Sequence, residues 1–239
     1  MFLKERNKVK GQKTWITTVN PEFVMATISD EKFLDIINKS DVRTIDGIGL
    51  IWAREVLKTR RGLNRWLVAL KLGVEILGGK WRDELISGSD LIVDFCKMAV
   101  KNNEKIFFLG GFDDRAKRCG EYFSKKFKGL KYDFSEGIPG VKNEEVLKKI
   151  NTFLPDYLVV AYGMKKQEEW IENNLKKLKL KVVVGVGRSF DYYSGALKRA
   201  PKWVRKMGLE WLYSLLKDPK RWKRQLVLPR FIWMVMNLK

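Results

Sequence analysis

The 239-residue sequence contains no histidine. This absence excludes Ser-His-Asp and Cys-His catalysis and any histidine-containing metal site, so acid–base chemistry near neutral pH depends on Asp, Glu, Lys or Tyr. Cysteine is scarce too, because Cys96 and Cys119 are too few and too far apart for a disulfide framework or a zinc site. We therefore expect both cysteines to be small buried residues in helices, in a reducing, cytoplasmic setting.

Long apolar runs are also missing. No window of about eighteen residues is both apolar and uncharged, and the best candidate, Leu63–Leu77, is interrupted by Arg65, Lys71 and Glu75. Residues 1–13 carry charges throughout, which argues against a signal peptide. The sequence predicts a protein that lies on a membrane, if it meets one, and does not span it.

Acidic residues are few relative to basic ones. The chain has 28 Asp and Glu against 48 Lys and Arg, a formal net charge of +20. A chain with this charge is expected to bind polyanions, namely nucleic acid, anionic lipid or phosphorylated substrates. Half of the excess lies in residues 198–239, where twelve basic residues face two acidic ones. Four tryptophans are interleaved with them, at Trp203, Trp211, Trp222 and Trp233.

This basic and aromatic tail suits anionic lipid headgroups, with Trp at the interface and Lys or Arg on phosphates. The same mixture can bind nucleic acid, and a solvated helix packed on the domain is a further alternative. The apolar stretches Leu226–Leu228 and Phe231–Met236 favour the membrane. We interpret residues 198–239 as a basic, Trp-rich, helical membrane-binding appendage.

The rest of the chain alternates short apolar strands with helical stretches. The predicted strands are Trp15–Val19, Val42–Ile45, Ile106–Leu109, Tyr157–Ala161 and Val182–Val186. Continuous apolar strands alternating with helices indicate an α/β fold, here a Rossmann-like, mostly parallel sheet with helices on both faces. We assign residues 1–197 to this domain and interpret 59–84, rich in Arg, Trp and Leu, as an insertion.

Polar residues lie at the ends of two of these strands. In such sheets ligands bind at the carboxyl ends of the strands, so Thr18 and Asn20 can hydrogen-bond a substrate there. The alternative for Asn20 is a helix cap alone. Asp46, before Gly47, is placed to take a proton from an incoming hydroxyl, although Asp-Gly is also a common turn.

Glycine-rich turns follow the other strands. Gly110-Gly111 at a helix N-terminus can admit a phosphate, or form only a tight turn. Lys165–Gln167 can contact a diphosphate, or form a solvated first helical turn. Gly187, Arg188 and Asp191 suit a phosphate and a ribose or base, or a Gly-rich turn with an ion pair. No Asp-x-Asp occurs, so a metal-bridged nucleotide-sugar site has no obvious ligand pair, and Arg, Lys and backbone N–H groups must meet the diphosphate charge.

Taken in order, these segments resemble the WecG/TagA/CpsF family of glycosyltransferases. The first matching segments are Thr18–Glu22, Asp46–Gly49 with Trp52-Ala53, Gly88–Asp90 and Phe108–Gly111. The later ones are Gly163–Glu168 with Trp170-Ile171, Gly185–Gly187, Phe190-Asp191, Gly195, Arg199–Pro201 and Gly208–Trp211. Two positions depart from the pattern. Leu85 stands where relatives often have Arg, and Arg82 is the candidate to replace it; Arg188 stands where relatives tend to have a small residue.

The resemblance implies an inverting, metal-independent glycosyltransferase of cell wall biogenesis, peripheral on the inner face of the cell membrane. It moves N-acetylmannosamine or a related sugar from UDP to a polyprenyl-diphosphate-linked sugar, as in teichoic acid synthesis. The UDP-sugar is a substrate, and no cofactor is implied. Asp46 matches the catalytic base, and substrate-site residues are matched by Thr18, Asn20 and Gln167. The C-terminal segment matches a membrane-binding appendage whose arginines help close the active site, with the candidates Arg205, Arg221 and Arg224.

Two alternatives accompany this interpretation. One is a transferase of the same fold that uses another donor in exopolysaccharide synthesis. The other is a non-catalytic basic protein that binds membrane or nucleic acid and ignores both UDP and Asp46. The ordered motif set favours the first interpretation and argues against a nucleic acid partner, and homo-oligomer formation away from the membrane is left open.

Overall fold

The computed structural model describes residues 13–137, 139–140, 143–218 and 222–238. Their contacts divide them into two compact units. The first unit consists of the described residues in the ranges 1–17, 36–43 and 88–196. The second consists of those in the ranges 18–35, 44–87 and 197–239. The boundary expected at residue 198 and the insertion expected at 59–84 stay predictions.

The strands and helices alternate along the chain. The strands are β1 (Thr14–Val19), β2 (Val42–Ile45), β3 (Lys105–Gly110), β4 (Lys131–Ser135), β5 (Tyr157–Ala161) and β6 (Val182–Gly185). The helices up to β5 are α1 (Pro21–Ser29), α2 (Glu31–Lys39), α3 (Ile48–Val56), α4 (Leu63–Leu77), α5 (Gly88–Asn102), α6 (Arg115–Lys126) and α7 (Asn143–Phe153). Those that follow are α8 (Lys166–Asn174), α9 (Ser189–Tyr193), α10 (Lys202–Lys206), α11 (Glu210–Lys217), α12 (Trp222–Gln225) and α13 (Val227–Asn237). Short 3-10 helices cover Arg82–Glu84 and Leu175–Lys177.

The six strands form one parallel sheet in the order β2-β1-β6-β5-β3-β4. In the centre, β5 pairs with β3 from Tyr157–Ile106 to Ala161–Gly110. The predicted Rossmann-like α/β fold is therefore confirmed, and each of the five predicted strands agrees with the structure to within one residue at either end. The sixth, β4, was not predicted, because this edge strand is short and only partly buried and so lacks a continuous apolar run.

Helices cover both faces of the sheet in the first unit. On one face, Phe107 and Leu109 of β3 join a core cluster with residues of α7 and α8. On the other face, Phe108 packs against Phe123 of α6 and Phe190 of α9. This two-sided burial explains why β3 is a continuous apolar run.

The cysteines behave as predicted, since Cys96 in α5 and Cys119 in α6 are both fully buried. Their burial raises the pKa of both thiols. Neither side chain is therefore a reactive thiolate.

In the second unit, α3 and α4 pack together with α13 around a separate apolar cluster. Its buried members include Ala53 and Val56 of α3, Leu72 of α4, and Phe231 and Val235 of α13. Within the part of the chain that the structure describes, no helix is both long and apolar enough to cross a bilayer.

Candidate active site

Thr18, Asn20 and Asp46 come together in the second unit. The backbone N–H of Asp46 donates to the carbonyl of Val19 at 2.7 Å, which fixes the residue after β2 beside the end of β1. Thr18 is buried, and Asn20 and Asp46 are half-buried. A Cβ added at Gly47 would lie 4.0 Å from Cβ of Asn20. The sequence motifs Thr-x-Asn and Asp-Gly thus lie side by side at the ends of β1 and β2, and we call Thr18, Asn20 and Asp46 the polar cluster.

Asn20 is a helix cap in this structure. Its side-chain oxygen accepts from the backbone N–H of Phe23 at 3.1 Å, and Pro21 follows in the first turn of α1. The cap uses the carbonyl oxygen only. The amide NH2 group of Asn20 is therefore the part of the side chain that can donate to a ligand.

Asp46 lies in a tight connection between β2 and α3. Gly47 takes a φ of +119°, a conformation that favours glycine, and a Cβ at Gly49 would lie 3.0 Å from Cγ of Pro21. The two glycines let α3 begin directly after Asp46, close to the start of α1. The Asp-Gly pair is thus a turn that also holds a carboxylate at the carboxyl end of β2, where ligands bind in sheets of this kind.

The turn after β3 requires both of its glycines. Gly110 has a φ of +91°, and a Cβ there would lie 2.6 Å from the Tyr162 ring. Gly111 has a φ of +83° and lies closely against Arg115 and Phe190. Its N–H donates to the carbonyl of Ala161 at 3.0 Å. That N–H is therefore already used within the protein, and the positive charge near this turn comes from side chains.

Those side chains are two arginines held on Asp191. The buried carboxylate of Asp191 accepts from Arg188 Nε at 2.6 Å through one oxygen and from Arg115 through the other. The guanidinium of Arg115 also lies 5.3 Å from the ring centroid of Phe112, which is exposed. The predicted ion pair after β6 is thus a three-residue cluster with two partly exposed cations.

Sequence reasoning missed Arg115. It lies in the first turn of α6, four residues after Gly111, and 76 positions separate it from Asp191. Nothing in the local sequence connects the two residues, since the parallel sheet alone brings the β3 and β6 turns together. The one available signal was a basic residue in the first turn of a helix, where cations are less favoured than acids.

Gln167 connects two loops from inside the protein. It is almost fully buried, its Oε1 accepts from the backbone N–H of Gly187 at 2.9 Å, and its Nε2 donates to Glu168 at 2.7 Å. The other oxygen of Glu168 accepts from the backbone N–H of Lys165 at 3.0 Å, where Lys165 takes a positive φ of +71°. The oxygen of Gln167 therefore fixes the turn before α9 directly. Its NH2 group fixes the turn before α8 through Glu168.

This arrangement depends on the absence of a side chain at Gly185. A Cβ there would lie 2.5 Å from Nε2 of Gln167 and 2.7 Å from an oxygen of Glu168. The last residue of β6 is glycine because two buried polar side chains occupy the space above it.

Glu168 has an altered acidity in this position. Burial, offset only in part by the N–H donors of Gln167 and Lys165, raises the pKa of Glu168 to about 7. The folded state binds the Glu168 proton more tightly than the unfolded chain does, so protonation of Glu168 stabilises the fold. This stabilisation is complete at low pH and is lost as the pH rises from about 4.5 to about 7.

We expect Glu168→Gln to flatten this pH dependence. The free energy of unfolding of the wild type should decline by about 1–3 kcal/mol across that interval through this group, and the decline should shrink in the variant. Chemical denaturation at pH 5, 6 and 7 measures the effect. Glu144→Gln, at an exposed ion pair with Lys177, is the matched control and should keep the wild-type pH profile. An unchanged profile in Glu168→Gln would show that Glu168 titrates normally.

Of the three arginines predicted to act from the C-terminal segment, the structure describes the side chain of Arg205 alone. Arg205 on α10 donates from Nε to the carbonyl of Ala200 at 3.1 Å, within the second unit. Arg221 lies outside the described residues, and the described part of Arg224 is its backbone in α12. Arg82, the candidate to replace the expected arginine at position 85, donates to the carbonyl of Ile76 at 3.2 Å and so holds the end of α4.

A separate groove of about 610 Å³ runs along α8 in the first unit. Its walls include Asn143, Trp170 and Asn174, which hydrogen-bond one another, together with Lys166 and Lys177. Of the residues predicted to contact a substrate, Lys166 lines this groove, whereas Asp46, Gln167 and Arg188 do not.

Parallel α/β sheets bind ligands beyond the carboxyl ends of their strands, and the arginine pair on Asp191 provides positive charge for a phosphorylated one. The fold, with polar and charged residues at its strand ends, is thus typical of an α/β enzyme. The model of the glycosyl transferase WecG/TagA/CpsF family matches residues 3–65 and 68–239, and the chain belongs to this family. The prediction of a glycosyltransferase is confirmed.

Two relatives from Staphylococcus aureus are similar over most of the chain. Each bears the name N-acetylglucosaminyldiphosphoundecaprenol N-acetyl-beta-D-mannosaminyltransferase. The protein of strain MRSA252 is 30% identical over 225 residues, and that of strain MW2 is 29% identical over 225 residues. In both cases the match covers 94% of this chain and 80% of the relative.

Proposed function

We propose that this protein transfers N-acetylmannosamine or a related sugar from a UDP-sugar to a polyprenyl-diphosphate-linked acceptor. The observation that carries the proposal is the family match over nearly the whole chain, which includes the polar cluster around Asp46. The names of the two staphylococcal relatives support an N-acetylglucosaminyl-diphosphate-lipid acceptor and an N-acetylmannosaminyl group. The product would serve cell wall biogenesis, as in teichoic acid synthesis.

The reaction is a single inverting displacement. The acceptor hydroxyl oxygen attacks the anomeric carbon of the donor sugar, and its proton passes to the carboxylate of Asp46. The bond from the anomeric carbon to the diphosphate oxygen breaks, and UDP leaves with the electron pair. Thr18 and Asn20, which lie beside Asp46, hydrogen-bond sugar hydroxyl or amide groups.

The leaving diphosphate gains negative charge, and the arginines on Asp191 offset it. Arg188 and Arg115 are fixed by the same buried carboxylate, so their positions are set before the donor arrives. Gln167 helps to position Arg188, because its side-chain oxygen accepts a hydrogen bond from the backbone N–H of Gly187, the preceding residue. In this proposal Gln167, Gly110 and Gly111 shape the donor site, and the two arginines contact the phosphates.

The reaction takes place at the inner face of the cell membrane, where lipid-linked acceptors made from cytoplasmic nucleotide sugars are found. The basic residues and tryptophans of 198–239 support a peripheral attachment. Trp203, Trp211, Trp222 and Trp233 are each exposed, as an interfacial role requires. Arg205, Arg221 and Arg224 are the proposed contacts of this segment to the substrates.

The test is UDP release from a panel of UDP-sugars with a short-chain polyprenyl-diphosphate-GlcNAc analogue as acceptor. Acceptor-dependent release with UDP-N-acetylmannosamine, above that with UDP-GlcNAc or UDP-glucose, is the expected result. Preference for another UDP-sugar would assign the protein to a transferase with a different donor. No acceptor-dependent release from any donor, by a folded protein, would contradict the proposal.

A further inference from the structure

Helix α4 is apolar on two opposite faces. Its inner face carries Ala69, Leu72 and Ile76, which are buried. On its outer face the helix exposes six large apolar side chains, Leu63, Trp66, Leu67, Leu70, Val74 and Leu77. These six recur every three or four residues, so they form one continuous stripe along the helix. We call them the α4 stripe.

The exposure of the α4 stripe is large for a folded protein. Leu63, Leu70 and Val74 are each between 69% and 76% exposed. A continuous apolar face of a helix is normally covered by protein or by lipid. The inner face of α4 is already covered by α3 and α13, and Trp52 Nε1 donates to the carbonyl of Ala69 at 3.1 Å. We therefore infer that the α4 stripe is a binding surface.

The charges around the α4 stripe indicate an anionic partner. Between residues 57 and 80 the chain has six basic residues and a single acidic one, Glu75. That acid is paired with Lys80 at 2.7 Å. Exposed Arg60 and Arg61 precede the helix, and exposed Lys71 lies within it. An apolar strip bordered by cations suits the boundary between anionic headgroups and acyl chains.

The dimensions of α4 restrict how it meets a bilayer. Its 15 residues span about 22 Å, less than the roughly 30 Å of a hydrocarbon core. The stripe faces outward while the opposite side stays in the protein core, so only an orientation parallel to the membrane plane buries the stripe. Trp66 on the stripe fits the headgroup level, where tryptophan is enriched.

We propose that α4 lies in the interface of an anionic lipid bilayer, with its stripe inserted among the lipids and its flanking cations on the phosphates. The inference deepens the proposed function and rests on it for the lipid-linked acceptor. It adds a second membrane contact, distinct from residues 198–239. A second copy of the chain is a poorer occupant, because two copies paired through α4 would bring Arg60, Arg61 and Lys71 of both chains together.

A fluorophore on the α4 stripe tests the proposal directly. Cys96 and Cys119 are fully buried, so a nitrobenzoxadiazole label can be directed to Leu70→Cys in the otherwise intact chain. Vesicles of phosphatidylcholine with phosphatidylglycerol should shift its emission to the blue, and brominated lipids should quench it. Pure phosphatidylcholine should give a smaller shift. Labelled Leu154→Cys, at a 51% exposed apolar position in the first unit, is the control and should not respond.

Two results would overturn the proposal. One is vesicle binding by the labelled protein without a change in emission from position 70, which would mean that other residues make the contact. The other is a blue shift that appears without lipid and grows with protein concentration, which would mean that a second copy covers the stripe.

A paired variant separates this proposal from the proposed function. Leu67→Gln with Leu70→Gln should weaken binding to the anionic vesicles by about 10–100-fold. UDP release with a water-soluble acceptor should stay at the wild-type rate, since neither residue belongs to the polar cluster. Equal vesicle affinity in the variant and in a Leu154→Gln control would refute a role for α4. The vesicle measurement uses no sugar substrate, so it stays decisive even if no transferase activity is found.

Discussion

Asp46→Asn is expected to lower the kcat of sugar transfer by about 10²–10⁴-fold, because the amide cannot accept the proton of the attacking hydroxyl. The backbone N–H of Asp46, which donates to Val19, is kept in the variant, so the connection between β2 and α3 should hold. The KM for the donor should change little, since in the proposed mechanism the carboxylate acts on the acceptor. UDP release with saturating donor and acceptor measures the effect.

The control for this prediction is Asp35→Asn, the same chemical change at an exposed position on α2. Both variants should unfold at wild-type temperature, and only the Asp46 variant should lose turnover. Turnover within a few-fold of the wild type in Asp46→Asn would remove this residue from the mechanism.

Asp191→Asn is expected to weaken both the fold and the donor site. Its amide can accept from one arginine, but its NH2 group would face the other guanidinium, so Arg115 or Arg188 loses its acceptor. Loss of a charged hydrogen bond of this kind costs about 1–3 kcal/mol of unfolding free energy. Because both cations lose their fixed positions, the affinity for UDP should decrease by about tenfold or more.

Calorimetric titration with UDP and chemical denaturation measure the two effects separately. Asp94→Asn, which removes an exposed partner of Lys97, should change neither quantity by much. If Asp191→Asn kept the wild-type affinity for UDP while losing stability, the arginine pair would be a structural cluster without a role in donor binding.

The alternation of strands and helices was the most predictable feature of the sequence. Runs such as Ile106–Leu109 are apolar at every position because they are buried on both faces, so their position and parallel arrangement could be predicted. The edge strand β4 shows the limit of this reasoning. Lys131–Ser135 pairs on one side only and is partly exposed, so it carries no apolar run to detect.

The candidate site was predictable where its parts are close in sequence. Thr18 lies near the end of β1, Asn20 and Asp46 directly follow β1 and β2, and their proximity follows from these adjacent strands. The cluster on Asp191 was only half predicted, because Arg115 comes from a distant helix. The burial of Gln167 was not predictable either, since a polar residue in a first helical turn is normally solvated.

The inner side of α4 has a practical consequence for making the protein in quantity. The buried guanidinium of Arg65 donates to the carbonyl oxygens of Val235, Met236 and Leu238, so α4 holds the last turn of α13. A version shortened before residue 227 would remove these three acceptors, leave the guanidinium only the carbonyl of Thr59, and uncover Ala53, Val56 and Leu72. Removing the C-terminal helix to gain solubility would therefore leave the α4 stripe in place and expose a second apolar surface on the opposite side of α4.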